Sequence, residues 1–362
     1  MKLKVLILLF APVAIFFLIF RNLPSSSISP LSSLTPGSSL SSPKPKEITL
    51  PKVTLDNIFS SNEADLKNLD QLKIVKIVAT GDVIPARTTN YQMVTLGNFK
   101  YPFEKTFDFL KSADLTVIDL ESSLTQGCKV TREGMQFCGD PRFTEGLEFA
   151  GVDIASLENN HIGNYGKEGI NQTKRFLEQE GIDWVDKDNI LYKEIKSTKF
   201  SFLAFNGVGG NFNRVLMTNK IKEARKNSQV VIVSLHWGKE YTYDPEPSPG
   251  IANDDPKEIA KEAIDSGADL IIGNHPHWVQ GIQIYADKFI SYAHGNFIFD
   301  QMWSTETRQG VIGIYTFYED KLIDVEFKPI IIDNYAQPHF VEGEDAVKIL
   351  TPMKESSLKL KI

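Results

Sequence analysis

The stretch Leu270-Ile271-Ile272-Gly273-Asn274-His275-Pro276-His277 decides the architecture. Its short apolar run, rich in branched residues and bounded by glycine, reads as a strand covered on both faces. Polar, nitrogen-bearing side chains follow immediately after Gly273. The same grammar recurs in both directions along the chain. Ile74 to Thr80 leads into Gly81-Asp82, Leu115 to Leu120 into Glu121, and Asp153 to Leu157 into Glu158-Asn159-Asn160-His161. Val230 to Leu235 leads into His236-Trp237-Gly238, and Phe289 to Ala293 into His294-Gly295-Asn296.

Helical spacing of apolar residues appears between these runs, in Phe103 to Ser112, Gly169 to Glu180, Asn219 to Asn227 and Asp255 to Ser266. Alternating strands and helices predict an α/β protein whose sheet is at least partly parallel. Gly313 to Tyr318 and Leu322 to Ile332 pair around Glu319-Asp320 in the manner of a hairpin, so the sheet is expected to be mixed. Ligands of open α/β sheets bind at the carboxyl ends of the strands. Those positions hold five of the six histidines together with Asp82, Glu121 and Asn160.

Imidazole, carboxylate and amide oxygen suit Mn, Fe or Zn rather than a thiolate-seeking metal. Six or seven such groups exceed what one tetrahedral ion needs, so a two-metal cluster fits the count, and one or two divalent ions are expected. Glycine beside Asp82, His236, His275 and His294 is expected to ease tight turns and leave room next to the metals. Each piece alone has an ordinary explanation. A single histidine after a strand is more often packed than functional, Asp82 could cap a helix, Asn159-Asn160 could form a turn, and Trp237 could be core. The repetition at successive strand ends carries the argument.

Composition sets the outer bounds. The chain has 362 residues, 42% hydrophobic and 23% charged, enough for a large core. Lys+Arg 39 against Asp+Glu 46 gives a net charge of -7, and no basic stripe offsets it, which excludes a nucleic-acid partner. Lys2 and Lys4 precede an apolar run from Val5 to Phe20 closed by Arg21. This predicts a signal anchor over residues 1–21, the cleaved-signal alternative remaining open. The charge pattern puts the rest of the chain outside the cytoplasm, held at the membrane by a single pass. Residues 22–48, rich in Ser and Pro, read as a tether, and the main domain is expected over 73–350. Cys128 and Cys138 flank a short polar loop. In an oxidising compartment they pair; otherwise they are two free thiols in a mobile loop.

Taken as an ordered set, several motifs resemble the CapA capsule-synthesis family, associated with poly-gamma-glutamate and itself similar to calcineurin-like metallophosphatases. The motifs are Gly81-Asp82-Val83-Ile84 with Arg87, Asp119-Leu120-Glu121, Asn159-Asn160-His161, His236-Trp237-Gly238 with Glu240-Tyr241, Gly273-x-His275-Pro276-His277 with Gln280-Gly281, and Gly295-Asn296-Phe297 with Phe299-Asp300. The fold implied is a metallophosphatase-type layered sandwich with mixed β-sheets flanked by helices. The runner-up is a plain doubly wound sheet without the second β layer.

The resemblance implies roles as well. Asp82 and His277 would bind a first metal, Glu121 would bridge, and Asn160, His236 and His275 would hold a second. His161 would be a general acid, and Arg87 would stabilise developing charge. Trp237, Glu240, Tyr241 and Asn296 would contact a substrate, either a phosphoester or an anionic exopolymer. A non-catalytic polymer-binding partner of a membrane synthase is the rival reading. The chain departs from the phosphatases at one place, as expected for the family, and from the family itself at two. Ile84 stands where the phosphatases carry a ligating histidine, Asn164 where the family has Asp, and Cys138 where it has Arg.

Overall fold

In the computed structural model the described residues are 49–60, 65–210 and 212–361. The expected anchor (1–21) and tether (22–48) lie outside them. Among the described residues no helix is long and apolar enough to cross a membrane.

The strands in chain order are β1 (Ile74–Val83), β2 (Leu115–Leu120), β3 (Ser123–Leu124), β4 (Cys138–Gly139), β5 (Ile154–Ser156), β6 (Asp183–Val185), β7 (Leu191–Ile195) and β8 (Thr198–Asn206). They continue with β9 (Val230–His236), β10 (Leu270–Asn274), β11 (Ile282–Tyr285), β12 (Lys288–Ser291), β13 (Asn296–Ile298), β14 (Gln309–Tyr318), β15 (Lys321–Asp333) and β16 (Gln337–Phe340). The helices are α1 (Leu55–Ile58), α2 (Arg87–Leu96), α3 (Phe107–Lys111), α4 (Phe143–Phe149), α5 (Gly166–Gln179), α6 (Arg214–Asn227), α7 (Pro256–Asp265) and α8 (Gly343–Lys359).

Two mixed sheets form. One has the order β16-β15-β14-β1-β2-β5-β6, with β13 also pairing β1, and the other β11-β12-β10-β9-β8-β7. The expected hairpin around Glu319-Asp320 is present as the antiparallel β14–β15 pair. The period of two along each strand builds the layers. On β9, Val230 and Ile232 face the other sheet and pack with Val75, Ile77, Leu115, Val117, Phe200 and Phe289. Val231, Val233 and Leu235 face outward onto Met217, Ile221 and Ala224 of α6 and Ile259 and Ala263 of α7. On the other sheet, Val78, Ile118 and Leu120 face outward onto Met93 of α2, Leu147 of α4 and Leu177 of α5. The result is a helix–sheet–sheet–helix sandwich, so the second β layer exists and the plain doubly wound alternative is excluded.

Local rules explain the ends of several elements. Asp255 caps α7 by accepting from Lys257 N, and Pro256 takes the first helical position, where its missing N–H costs nothing. α8, which the sequence reading passed over, turns Ile349 and Met353 into the core between the sheets. Its Ser357 hydroxyl accepts the N–H of Ile282 on the edge strand β11 at 2.8 Å.

Candidate metal centre

The alternation that fills the core also aims the polar residues. On β2, Leu115 and Val117 point between the sheets, and the same phase carries Asp119 and Glu121 to that side. On β9 and β10 the phase of Val230 and Ile232, and of Leu270 and Ile272, delivers His236 and Asn274 to the same end of the sandwich. Asp82 would point the wrong way if β1 were regular. A register shift between Ala79 and Asp82 on the β2 side inserts one extra residue and turns it inward. Bulges commonly re-aim a side chain in this way beside a functional site.

Glu121 is fully buried, and neither of its carboxylate oxygens has a hydrogen-bond partner. His236 Nε2 lies 3.5 Å from Glu121 Oε1 and 2.7 Å from Asn160 Oδ1. His236 Nδ1 is held at 3.0 Å by Asp119 Oδ2. His275 is 1% exposed and both of its ring nitrogens are unpartnered. Its ring centroid is 4.7 Å from that of His236. Ligand atoms of Glu121, His236 and His275 come within 4.8 Å of one another, as do those of Asp82, Asp119, Glu121 and His236.

Burial raises the Glu121 carboxyl to about 6 against the pull of His236. Burial acts to lower His236, but the charges of Glu121 and Asp119 override it and hold the imidazole up at about 10. His275 is pushed well down by burial and by its histidine neighbours. Buried polar atoms without partners are rare and costly, about 1–3 kcal/mol each. A divalent cation among Glu121, Asn160, His236 and His275 would partner the Glu121 carboxylate and one nitrogen of His275, so the residues fit the ion that the sequence reading called for.

His277 completes the cluster. Its Nδ1 is 2.9 Å from both Asp82 Oδ2 and Asn296 Oδ1. Burial lowers its pKa, but Asp82 and the charge of Glu121 raise it to about 9. Asp82 Oδ1 accepts from Asn274 Nδ2 at 2.9 Å and from His275 N at 3.2 Å. His275, His277, Tyr241 and Arg87 all adopt positive φ. Such strain in non-glycine residues costs about 1–3 kcal/mol apiece and gathers at functional sites.

A cleft of about 460 Å³ opens beside the cluster, lined among others by Arg87, Arg132, His161, Glu240, Tyr241 and Trp303. Phe137 N donates to Asn164 Oδ1 at 2.7 Å, which fixes the amide orientation, and the same oxygen lies 3.0 Å from His161 Nδ1. His161 Nδ1 therefore carries the hydrogen, and its Nε2 is an acceptor 4.0 Å from Glu121 Oε1. Burial lowers His161 to about 4 against the raising effect of Asn164. Arg87 pairs with Asp300 and lies over the rings of Phe137 and Phe299.

Some placements differ from the sequence reading. Trp237 is buried and stacked on Tyr292, donating its indole N–H to Tyr292 O at 2.9 Å, so it sits in the core rather than on the cleft. Asn296 is fully buried and holds His277, because its strand β13 pairs β1 at Asp82. His294 faces away, bonded to Thr80 O and to Tyr315 Oη. Gly81 and Gly273 serve the backbone rather than the ligands. A Cβ there would meet Gly295 O and Tyr292 O respectively at 2.0 Å. Cys128 and Cys138 are joined in a disulfide. Asp119 was missed as a site residue, although its position two before Glu121 already put both on one face.

Comparison with known proteins gives relatives and a family. Capsule biosynthesis protein CapA of Bacillus anthracis is 25% identical over 324 residues, covering 82% of this chain and 76% of that one. PGA biosynthesis protein CapA of Bacillus subtilis (strain 168) is 29% identical over 288 residues, 73% of this chain and 65% of that one, so the chain spans just under two thirds of that relative's length. Among solved structures, a putative 5'-nucleotidase from Staphylococcus aureus shows a distant likeness in fold, with 13% identity and a TM-score of 0.44 over 78% of this chain and 58% of that one. Residues 76–301, well over half the chain, match the family described as bacterial capsule synthesis protein PGA_cap, and the chain belongs to that family.

Proposed function

We propose that this chain is a cell-surface accessory protein of capsule or polyglutamate synthesis carrying a metal-dependent hydrolase centre. The capsule role follows the names of its relatives. The hydrolase reading rests on one observation: Glu121 and His275 are buried without hydrogen-bond partners around the Asn160–His236 pair. A divalent cation bound there supplies Lewis-acid chemistry for activating water and polarising an electrophile.

The chain's own residues supply the rest. Asp119 fixes His236 with its Nε2 directed inward, as carboxylates commonly do for ligating histidines. The neutral His161 presents Nε2 to the cleft as a proton acceptor, which favours a base in place of the expected acid. Arg87, positioned by Asp300, offers positive charge at the cleft wall to an anionic substrate. That substrate is a phosphoester or a linkage of an anionic exopolymer. A membrane anchor at residues 1–21 and an extracytoplasmic domain accord with the Cys128–Cys138 disulfide.

A second reading, a polymer-binding partner of a membrane synthase, is favoured by the exposure of Trp303 (62%) and Met135 (71%) on the same cleft as Arg132 and Tyr335. Metal analysis of the purified chain and of His236→Ala, followed by hydrolysis assays on phosphoesters and γ-glutamyl polymers, separates the two. Bound metal that is lost in the variant, together with turnover, supports the hydrolase. Bound metal with polymer retention and no turnover supports the binding subunit.

A further inference from the structure

His277 presents its two ring nitrogens to different surroundings. Nδ1 is taken by Asp82 and Asn296. Nε2 faces Glu240, whose Oε1 is 3.9 Å away. The same oxygen lies 4.0 Å from Nε2 of His275, one of the two nitrogens of that buried ring without a partner. Ligand atoms of Glu240, His275 and His277 all fall within 4.8 Å of one another. Backbone geometry fixes this arrangement. Tyr241 N donates to Pro276 O at 2.9 Å, stitching the segment after β9 to the proline between the two histidines.

Both Asp82 oxygens already have partners. Oδ1 is engaged by Asn274 and His275 N, and Oδ2 by His277. Ile84, where the phosphatases carry a histidine, is buried in an apolar cluster with Ala86, Phe137 and Phe299 and offers nothing to an ion.

We infer that Glu240 is a metal-ligating residue. With Nε2 of His277 and of His275 it builds a second cation position; His275, which gives its one lone pair to one ion, is thereby assigned to this position, leaving Glu121, Asn160 and His236 to the first, and Asp82 acts through His277. The inference rests on the metal centre proposed above. Bonds of about 2.1 Å give tetrahedral ligand edges of about 3.4 Å. The two edges to Glu240 therefore close by about half an ångström, within reach of a side chain that is 37% exposed. Two imidazoles and a carboxylate are a donor set for Mn, Fe or Zn.

The test is calorimetric titration of the full chain with Mn²⁺, with metal analysis after dialysis, on wild type, Glu240→Gln and Asp82→Asn. Wild type is expected to bind two equivalents. Glu240→Gln keeps one at unchanged affinity and binds the other at least tenfold more weakly. Its metal-free melting curve matches wild type, because the side chain lies at the surface. Asp82→Asn weakens the second ion about 10–100-fold without abolishing it, as a residue acting through a ligand does. Two equivalents of unchanged affinity in Glu240→Gln would overturn the inference and leave the centre standing. So would a single wild-type equivalent that Glu240→Gln does not alter. A wild type that binds no Mn²⁺ overturns the centre itself.

Discussion

The Phe137 ring lies nearly flat on the His161 imidazole, with centroids 4.0 Å apart and planes 20° from parallel. Phe137 directly precedes Cys138, and its N–H donates to the Asn164 oxygen that holds His161 Nδ1. One loop, closed by the disulfide across a separation of 10 residues, thus grips the histidine from its face and, through Asn164, from its edge.

Breaking that loop is expected to loosen His161 without touching the metal ligands. A Cys128→Ser/Cys138→Ser double variant should lose about 2–3 kcal/mol of stability from loop-closure entropy. It should keep its metal and hydrolyse any accepted ester or amide about tenfold more slowly. Unchanged turnover in a demonstrably reduced or substituted protein would show that the loop does not position His161.

Asp119→Asn tests the orientation of His236. The amide oxygen preserves a hydrogen bond to Nδ1 but removes the charge now 3.0 Å away. Metal affinity should fall about 10–100-fold while the fold persists. Competition with a chromogenic chelator reads this directly, and an affinity within twofold of wild type would rule out the role.

Metal binding should release protons at neutral pH. Glu121 and Asp119 hold His236 up at about 10, and Asp82 and Glu121 hold His277 up at about 9, so both imidazoles are charged in the metal-free protein at pH 7. A ligating imidazole must be neutral, so the ion displaces those protons, and apparent affinity rises with pH up to about 9–10. Titration calorimetry in buffers of different ionisation heat counts the protons. A binding heat independent of buffer would contradict the assignment of His236 and His277 as ligands.

Trp237→Phe separates core from cleft. The change removes the hydrogen bond to Tyr292 O and part of a fully packed ring. It should cost about 1–3 kcal/mol in denaturant unfolding. Metal affinity and KM for any substrate should not move, whereas a raised KM would place the indole back in a polymer groove.

Much of this was legible in the sequence for a simple reason. Strands buried on both faces leave continuous apolar runs, and the abrupt polar residues after Ile272, Leu235 and Leu120 mark where those runs reach the sheet edge. The hairpin at Glu319-Asp320 was legible from its turn residues. The division into two sheets was not, because β7 carries polar residues between its apolar ones, as in Leu191–Ile195, and the continuous apolar run of β8 does not by itself assign it to a layer. Strand position also could not distinguish Asn296 from Tyr241. Both follow motifs rich in glycine and aromatics, yet pairing with β1 buries the first, and a positive φ swings the second to the cleft. The bulge that turns Asp82 inward depends on the partner strand, and no window of β1 alone contains it.

The centre draws Asp82, Glu121 and Asn160 from one sheet and His236, His275 and His277 from the other. A slip of one sheet across the other by a single residue, about 3.3 Å, would part every cross-sheet pair among them. An ion seated there is a rivet through both layers. With an ion bound as proposed, the protein would carry a gauge of its own assembly: a sandwich closed out of step would lack the complete site, and a loaded one would resist shear.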